Sequence, residues 1–295
     1  MPAPLLFLLS GLTQYLGAAV AVRLFGELPP ATVAWLRIAV SAVLLLVWAR
    51  PWRRGPWDRR RLLTTAAFGV VLAAMNVSFY VAIAHLPLGT AVAIEFVGPV
   101  AVAAVTGSGW RERAAIGVAA VGVVLLAGVS LHTGGSARVG LLAIGAAATF
   151  WAGYIVLGRR VAGQESGLSG LAVGMTTGAV VLAPAFAGAA GPVLHDVRLA
   201  AAVVAVAVCS SVVPYGIEQV VLRRVSAATF AVLLALLPAS AAVVGAVVLR
   251  QLPHPVDLVG LAAVCGAIAL TARREPPVVR AARSRPSGRR GHRLG

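Results

Sequence analysis

Apolar stretches of about twenty residues recur along the chain, at residues 4–22, 31–49, 62–83, 88–107, 113–130, 139–158, 169–188, 200–221, 226–248 and 256–272. A helix rising ~1.5 Å per residue needs roughly 20 such residues to cross a hydrocarbon core. The stretches are continuous and do not alternate, which argues against a membrane barrel of strands. The connections between them are short, so neighbouring helices are expected to run antiparallel. The pattern predicts an all-α polytopic membrane protein of ten transmembrane helices.

Charge sits in the gaps between these stretches and sets the orientation. Arg50, Arg53, Arg54, Arg59, Arg60, Arg61, Arg111, Arg113, Arg159, Arg160, Arg223 and Arg224 fall in alternate loops, and the segment 273–295 continues that side with eight more arginines. The opposite loops hold only Arg23, Arg138, Arg198 and Arg250. Basic residues favour the cytoplasmic side, so both termini are expected there, a parity that ten spans satisfy. No basic residue precedes the first stretch and no clear small-residue cleavage site follows it. It is therefore expected to be retained as a span. The Arg-, Pro- and Gly-rich segment 273–295 cannot bury a core; it is expected to be disordered and to be drawn to anionic lipid.

Composition agrees with the pattern. Of 295 residues 60% are hydrophobic and only 12% charged, too little charge to cover a soluble domain of this length. The net charge of +16 does not describe a nucleic-acid-binding face, because the arginines are spread over loops and tail. The two cysteines, Cys209 and Cys265, lie inside apolar stretches and imply neither a disulfide framework nor a metal site. No cofactor is implied. The spans hold no paired aspartate motif, no His-Glu-x-x-His and no Ser–His pair, so an intramembrane enzyme is not expected. No ring of like charges recurs across the spans, as a channel would require.

The polar residues that interrupt the spans carry the chemistry. Glu95 lies in the stretch 88–107, and an acid there is costly unless it serves a site. Pro99, four residues on, has no N–H for the carbonyl of Glu95, so the helix opens where it carries its acid. Opened backbone at membrane depth must face protein or water, which points to a cavity. At ~1.5 Å per residue, Arg37 lies about 9 Å and Asn76 and Glu95 about 10 Å from the outer ends of their spans, with Gln14 slightly deeper. Groups on separate helices at one level are explained by a shared cavity. Arg37 and Glu95 are expected to pair, either as a structural salt bridge or in handling substrate or protons. Asn76 and Gln14 either line the cavity or bond between helices. Tyr80, one turn above Asn76, either roofs the site or belongs to an aromatic belt, and Trp151 and Tyr154 face the same choice. Pro214 and Tyr215 break the stretch 200–221, and Glu218 beyond them is either a site residue or an interfacial acid paired with Arg223 and Arg224. Pro238 marks a further break. Gly174 and Gly178 are spaced for helix packing.

The halves also echo one another. Gly117-Val118-Ala119-Ala120-Val121 resembles Gly260-Leu261-Ala262-Ala263-Val264, Pro99 matches Pro238, and at the same offset Thr90 matches Thr229. A five-span unit repeated once must insert with opposite orientations, and inverted halves of this kind underlie alternating access in transporters. The units expected are 1–130 and 139–272.

Met75-Asn76-Val77-Ser78-Phe79-Tyr80 followed by Pro87-Leu88-Gly89-Thr90-Ala91-Val92-Ala93-Ile94-Glu95-Phe96-Val97-Gly98-Pro99 resembles the EamA-type drug/metabolite transporters, above all their threonine/homoserine exporter branch. Trp151-Ala152-Gly153-Tyr154-Ile155, Pro214-Tyr215-Gly216-Ile217-Glu218, Arg37 and Gln14 are similar to that branch as well. The resemblance implies ten helices in two inverted repeats and proton-driven efflux of small amino acids or related metabolites, or of a drug. It leaves open whether the protein is a monomer or a homodimer. Members often carry an acid before the proline of span nine; here Leu237 stands before Pro238, which shifts that burden to Glu95. In this reading Arg37 attracts a substrate carboxylate or holds Glu95 ionised, and Glu95 takes an ammonium group or a proton. A scaffold without transport is the distant alternative.

Overall fold

The structure, a computed structural model, describes residues 3–54, 57–106, 109–133, 136–162, 167–222 and 233–271. The described residues form helices and no strand: α1 (Ala3–Leu24), α2 (Pro30–Ala49), α3 (Arg59–Ile83), α4 (Leu88–Glu95), α5 (Val97–Thr106), α6 (Trp110–Thr133), α7 (Ala137–Ala162), α8 (Gly167–Phe186), α9 (Gly191–His195), α10 (Val197–Ala207), α11 (Val213–Leu222), α12 (Leu236–Val248) and α13 (Pro255–Thr271). Among the described residues eight helical stretches are long and apolar enough to cross a membrane, and the shorter apolar helices α12 and α13 follow them. The start of the expected ninth span, Arg223, Arg224, Thr229 and the segment 273–295 lie outside the described residues.

Local sequence explains where the helices begin and end. Asp58 caps α3 by accepting from Arg61 N at 2.6 Å, and Asp196 caps α10 by accepting from Arg198 N at 2.7 Å. Pro30 opens α2 at a position whose N–H needs no partner. Arg50, in the left-handed conformation (φ 44°), closes it by donating its N–H to the Leu46 carbonyl. Several hydroxyls along the spans find acceptors in their own helix: Thr13 donates to Leu9 O at 2.7 Å, Thr106 to Val102 O at 2.8 Å and Thr149 to Gly145 O at 2.9 Å. That solution suits a medium without water.

Two of the expected spans are broken, at the prolines that mark them in the sequence. The stretch 88–107 divides at Phe96 into α4 and α5, because Pro99 cannot donate to the carbonyl of Glu95. The stretch 200–221 divides into α10, a π-helical segment over Val208–Val212, and α11. Pro214 is the cause there, since it has no N–H for the Ser210 carbonyl.

Packing gathers these elements around one interior. α3 lies against α7 and α8, α2 against α8, α1 against α10, α11 and α12, α4 against α12, and α6 against α13. Trp35 ties α2 to α8 through Nε1 and the Ala179 carbonyl at 2.8 Å. Where α3 meets α8 the helices touch backbone to backbone: a Cβ on Gly69 would overlap Gly174, and one on Gly178 would lie 2.6 Å from the Gly69 carbonyl. The Gly174–Gly178 pair thus works as a packing surface. Large apolar side chains such as Val47, Val124, Leu142 and Val180 are exposed on the outside, the face that lipid covers.

Candidate solute cavity

Between the helices lies a cavity of about 480 Å³. Gln14 and Tyr15 of α1, Arg37 of α2, Phe68, Met75, Asn76 and Phe79 of α3, and Glu95 and Pro99 of the α4–α5 break reach it from the first half. Trp151 and Tyr154 of α7, Leu168 and Leu171 of α8, Ser210 of the π segment, Tyr215 of α11, and Leu234 and Leu237 reach it from the second. Its size suits a small solute.

Arg37 is held by the second half. Its Nε donates to Ser211 Oγ at 3.0 Å, Nη2 to the Ser210 carbonyl at 2.9 Å and Nη1 to Tyr80 Oη at 3.4 Å. The guanidinium also lies 5.5 Å from the centre of the Tyr80 ring. The expected Arg37–Glu95 salt bridge does not form: no guanidinium nitrogen comes within 4.0 Å of the carboxylate. The physical reason is the backbone opened by Pro214, which offers a free carbonyl, with the neighbouring Ser211 hydroxyl beside it. Glu95, 8% exposed, faces the cavity with no hydrogen bond or ion pair to a described residue.

Asn76 donates Nδ2 to Leu72 O of its own helix at 2.8 Å, so it does not bridge helices and its side chain stands at the cavity wall. Gln14 also lines the cavity, and its backbone carbonyl accepts from Ser210 Oγ at 3.0 Å. Tyr80 is completely buried between Phe25 and Phe79. It stands behind Arg37, neither over the cavity nor in an aromatic belt. Trp151 meets Phe96, the residue at the helix break, edge-on at 4.6 Å between ring centres, and Tyr154 lies 4.9 Å from Phe68. Pro214 and Pro238 are buried and act through the backbone. Glu218 belongs to α11, but its side chain lies outside the described residues.

The family model described as the EamA-like transporter family matches residues 138–273. Threonine/homoserine exporter RhtA of Salmonella typhimurium is 34% identical over 280 residues, covering 93% of this chain and 94% of its own. Threonine/homoserine exporter RhtA of Escherichia coli strain K12 is 34% identical over 266 residues, covering 89% of each chain. The chain belongs to the EamA-like transporter family. It is a multi-pass protein of the bacterial inner membrane and a member of the drug/metabolite transporter superfamily. A solved crystal structure shares the fold, with a TM-score of 0.55 at 17% identity over 90% of this chain and 95% of that one.

In this transporter the partners of Arg37 in the second half carry no signal in the sequence. Ser210 and Ser211 are ordinary serines until the fold sets them 173 and 174 residues from Arg37 in sequence yet in contact with it. One clue was available: Pro214 must free the carbonyl four residues before it, as Pro99 does for Glu95. Leu237, before Pro238, lines the cavity, so the second half presents an apolar wall there.

Proposed function

We propose that this EamA-like transporter exports small amino acids of the threonine and homoserine kind, exchanging them for protons by alternating access between two inverted five-helix halves, residues 1–130 and 139–272. The observation that carries this reading is the presence of Arg37 and Glu95, unpaired with each other, in one cavity lined by both halves. A zwitterion brings a carboxylate and an ammonium group, and the two side chains offer the complementary charges. A proton on Glu95 competes with the ammonium group, which couples the two fluxes. Asn76 and Gln14 supply neutral polar contacts, and Trp151, Tyr154 and Tyr215 shape the wall.

The packing supports inverted halves. Counting α4–α5 as the fourth span and α10–α11 as the eighth, the third span lies on the sixth as the first lies on the eighth. The first lies on the ninth as the fourth lies on the sixth, and the third on the seventh as the second on the eighth. The second–seventh, fourth–ninth and fifth–tenth contacts are their own counterparts under exchange of the halves. The helix breaks correspond too: a turn at Phe96 precedes Pro99 by three residues, and one at Ala235 precedes Pro238 by three. This is the arrangement in which two shapes can be exchanged across a membrane. The termini lie in the cytoplasm, and the arginine-rich loops and tail lie against anionic lipid.

The test is threonine efflux from proteoliposomes under an imposed pH gradient. Glu95→Gln is expected to abolish proton-driven transport while leaving solute exchange measurable; undiminished proton-driven transport in that variant would falsify the coupling role. A second reading, efflux of a less polar metabolite or drug, is favoured by the walls built from Phe68, Leu168, Leu171, Leu234 and Leu237. Competition by hydrophobic cations but not by amino acids would select it.

A further inference from the structure

We propose that Ser211, together with the Ser210 carbonyl that Pro214 sets free, is a positioning clamp that holds Arg37 apart from Glu95 and presents it as the anchor for a substrate carboxylate. This rests on the amino-acid reading of the cavity and goes beyond it by assigning the π-helical segment its task. An arginine and a glutamate sharing a low-dielectric cavity attract each other strongly. Left to itself the flexible arginine would close on the acid, and both binding charges would be consumed. The second half supplies competing partners. Ser210 O lies 2.9 Å from Nη2 and Ser211 Oγ 3.0 Å from Nε, so adjacent donors on one edge of the guanidinium are engaged by neighbouring residues. Tyr80 Oη at 3.4 Å takes a third. The planar fork is thereby fixed, and its remaining donors are left for a ligand.

The clamp is built into the backbone. An α-helix through residue 210 would use its carbonyl internally, but position 214 is proline and the helix is π-helical over Val208–Val212. α1 seats directly on this segment at Gly17, where a Cβ would lie 3.0 Å from Ser210 N and 3.1 Å from Cys209 Cβ. Ser210 Oγ donates to the Gln14 carbonyl at 3.0 Å, and Ser41 of α2 donates to the Ala207 carbonyl at 3.4 Å. Ser211 is completely buried, so its hydroxyl serves the interior alone. The segment is therefore braced from α1 and α2 while it holds the arginine.

The experiment compares threonine with threoninamide, which keeps the ammonium group and lacks the carboxylate, as competitors of threonine transport in proteoliposomes. Wild type is expected to prefer the acid. Ser211→Ala is expected to shrink that preference by about tenfold, the loss of roughly one charge-assisted hydrogen bond, with threoninamide affinity unchanged. Ser211→Thr, which keeps the hydroxyl, restores it. Should Ser211→Ala fail to reach the membrane, Pro214→Ala carries the same test, because an N–H at position 214 competes for the Ser210 carbonyl and is expected to shrink the preference likewise. If wild type ignores the carboxylate, the amino-acid reading fails and the clamp falls with it. If wild type discriminates and the variants keep that discrimination in full, or lose both affinities equally, the clamp alone is overturned.

Discussion

Glu95 announces itself because a carboxylate at that depth is costly and Pro99 opens the helix beside it. Arg37 is equally conspicuous, yet its partner is not the acid that charge alone selects. A proline-freed carbonyl and a buried hydroxyl hold it instead. The same logic of freed backbone governs Leu88, whose N–H opens α4 after Pro87 and is accepted by Gln251 Oε1 at 2.9 Å. This contact joins the first turn of span four to the loop before α13. Gln251→Ala strands that partly buried donor and is expected to cost about 1–3 kcal/mol, read as a lower unfolding temperature in detergent. Gln251→Glu retains an acceptor and should recover most of the loss; equal destabilisation by both variants would contradict this account.

Elements meet through small residues, since lipid gives no hydrophobic drive for helices to associate. Gly69 faces the Gly174 backbone so closely that a methyl group has no room. Gly69→Ala is expected to destabilise the protein by about 1–3 kcal/mol through forced separation of α3 from α8. Gly117→Ala is the internal control: a Cβ there meets nothing within 4 Å, and the change should be neutral or stabilising by about 0.5–1 kcal/mol. Thermal unfolding of the two variants side by side decides it, and similar shifts would refute the packing argument. The spacing of Gly174 and Gly178 exposed one side of this interface in the sequence. Gly69, its partner, looked like any other small residue in an apolar stretch.

For the whole molecule, the arginine bias of the loops predicts that both ends of the chain lie in the cytoplasm, and an inverted repeat predicts that matching spans run in opposite directions. A fluorescent protein fused to the C-terminus should fluoresce, and alkaline phosphatase fused there should be inactive; an active phosphatase overturns the arrangement. The eight described stretches long and apolar enough to span were legible in the sequence, because each is a local matter of length and apolarity. The breaks at Pro99 and Pro214 were legible because a missing N–H acts on a carbonyl four residues away. The pairing of Arg37 with Ser210 and Ser211 was not, nor was the cap on Leu88. Each joins positions more than 160 residues apart. Several acceptors compete for one cation in a dry interior, and only the packing of α1, α2 and the π segment brings one set of them within reach.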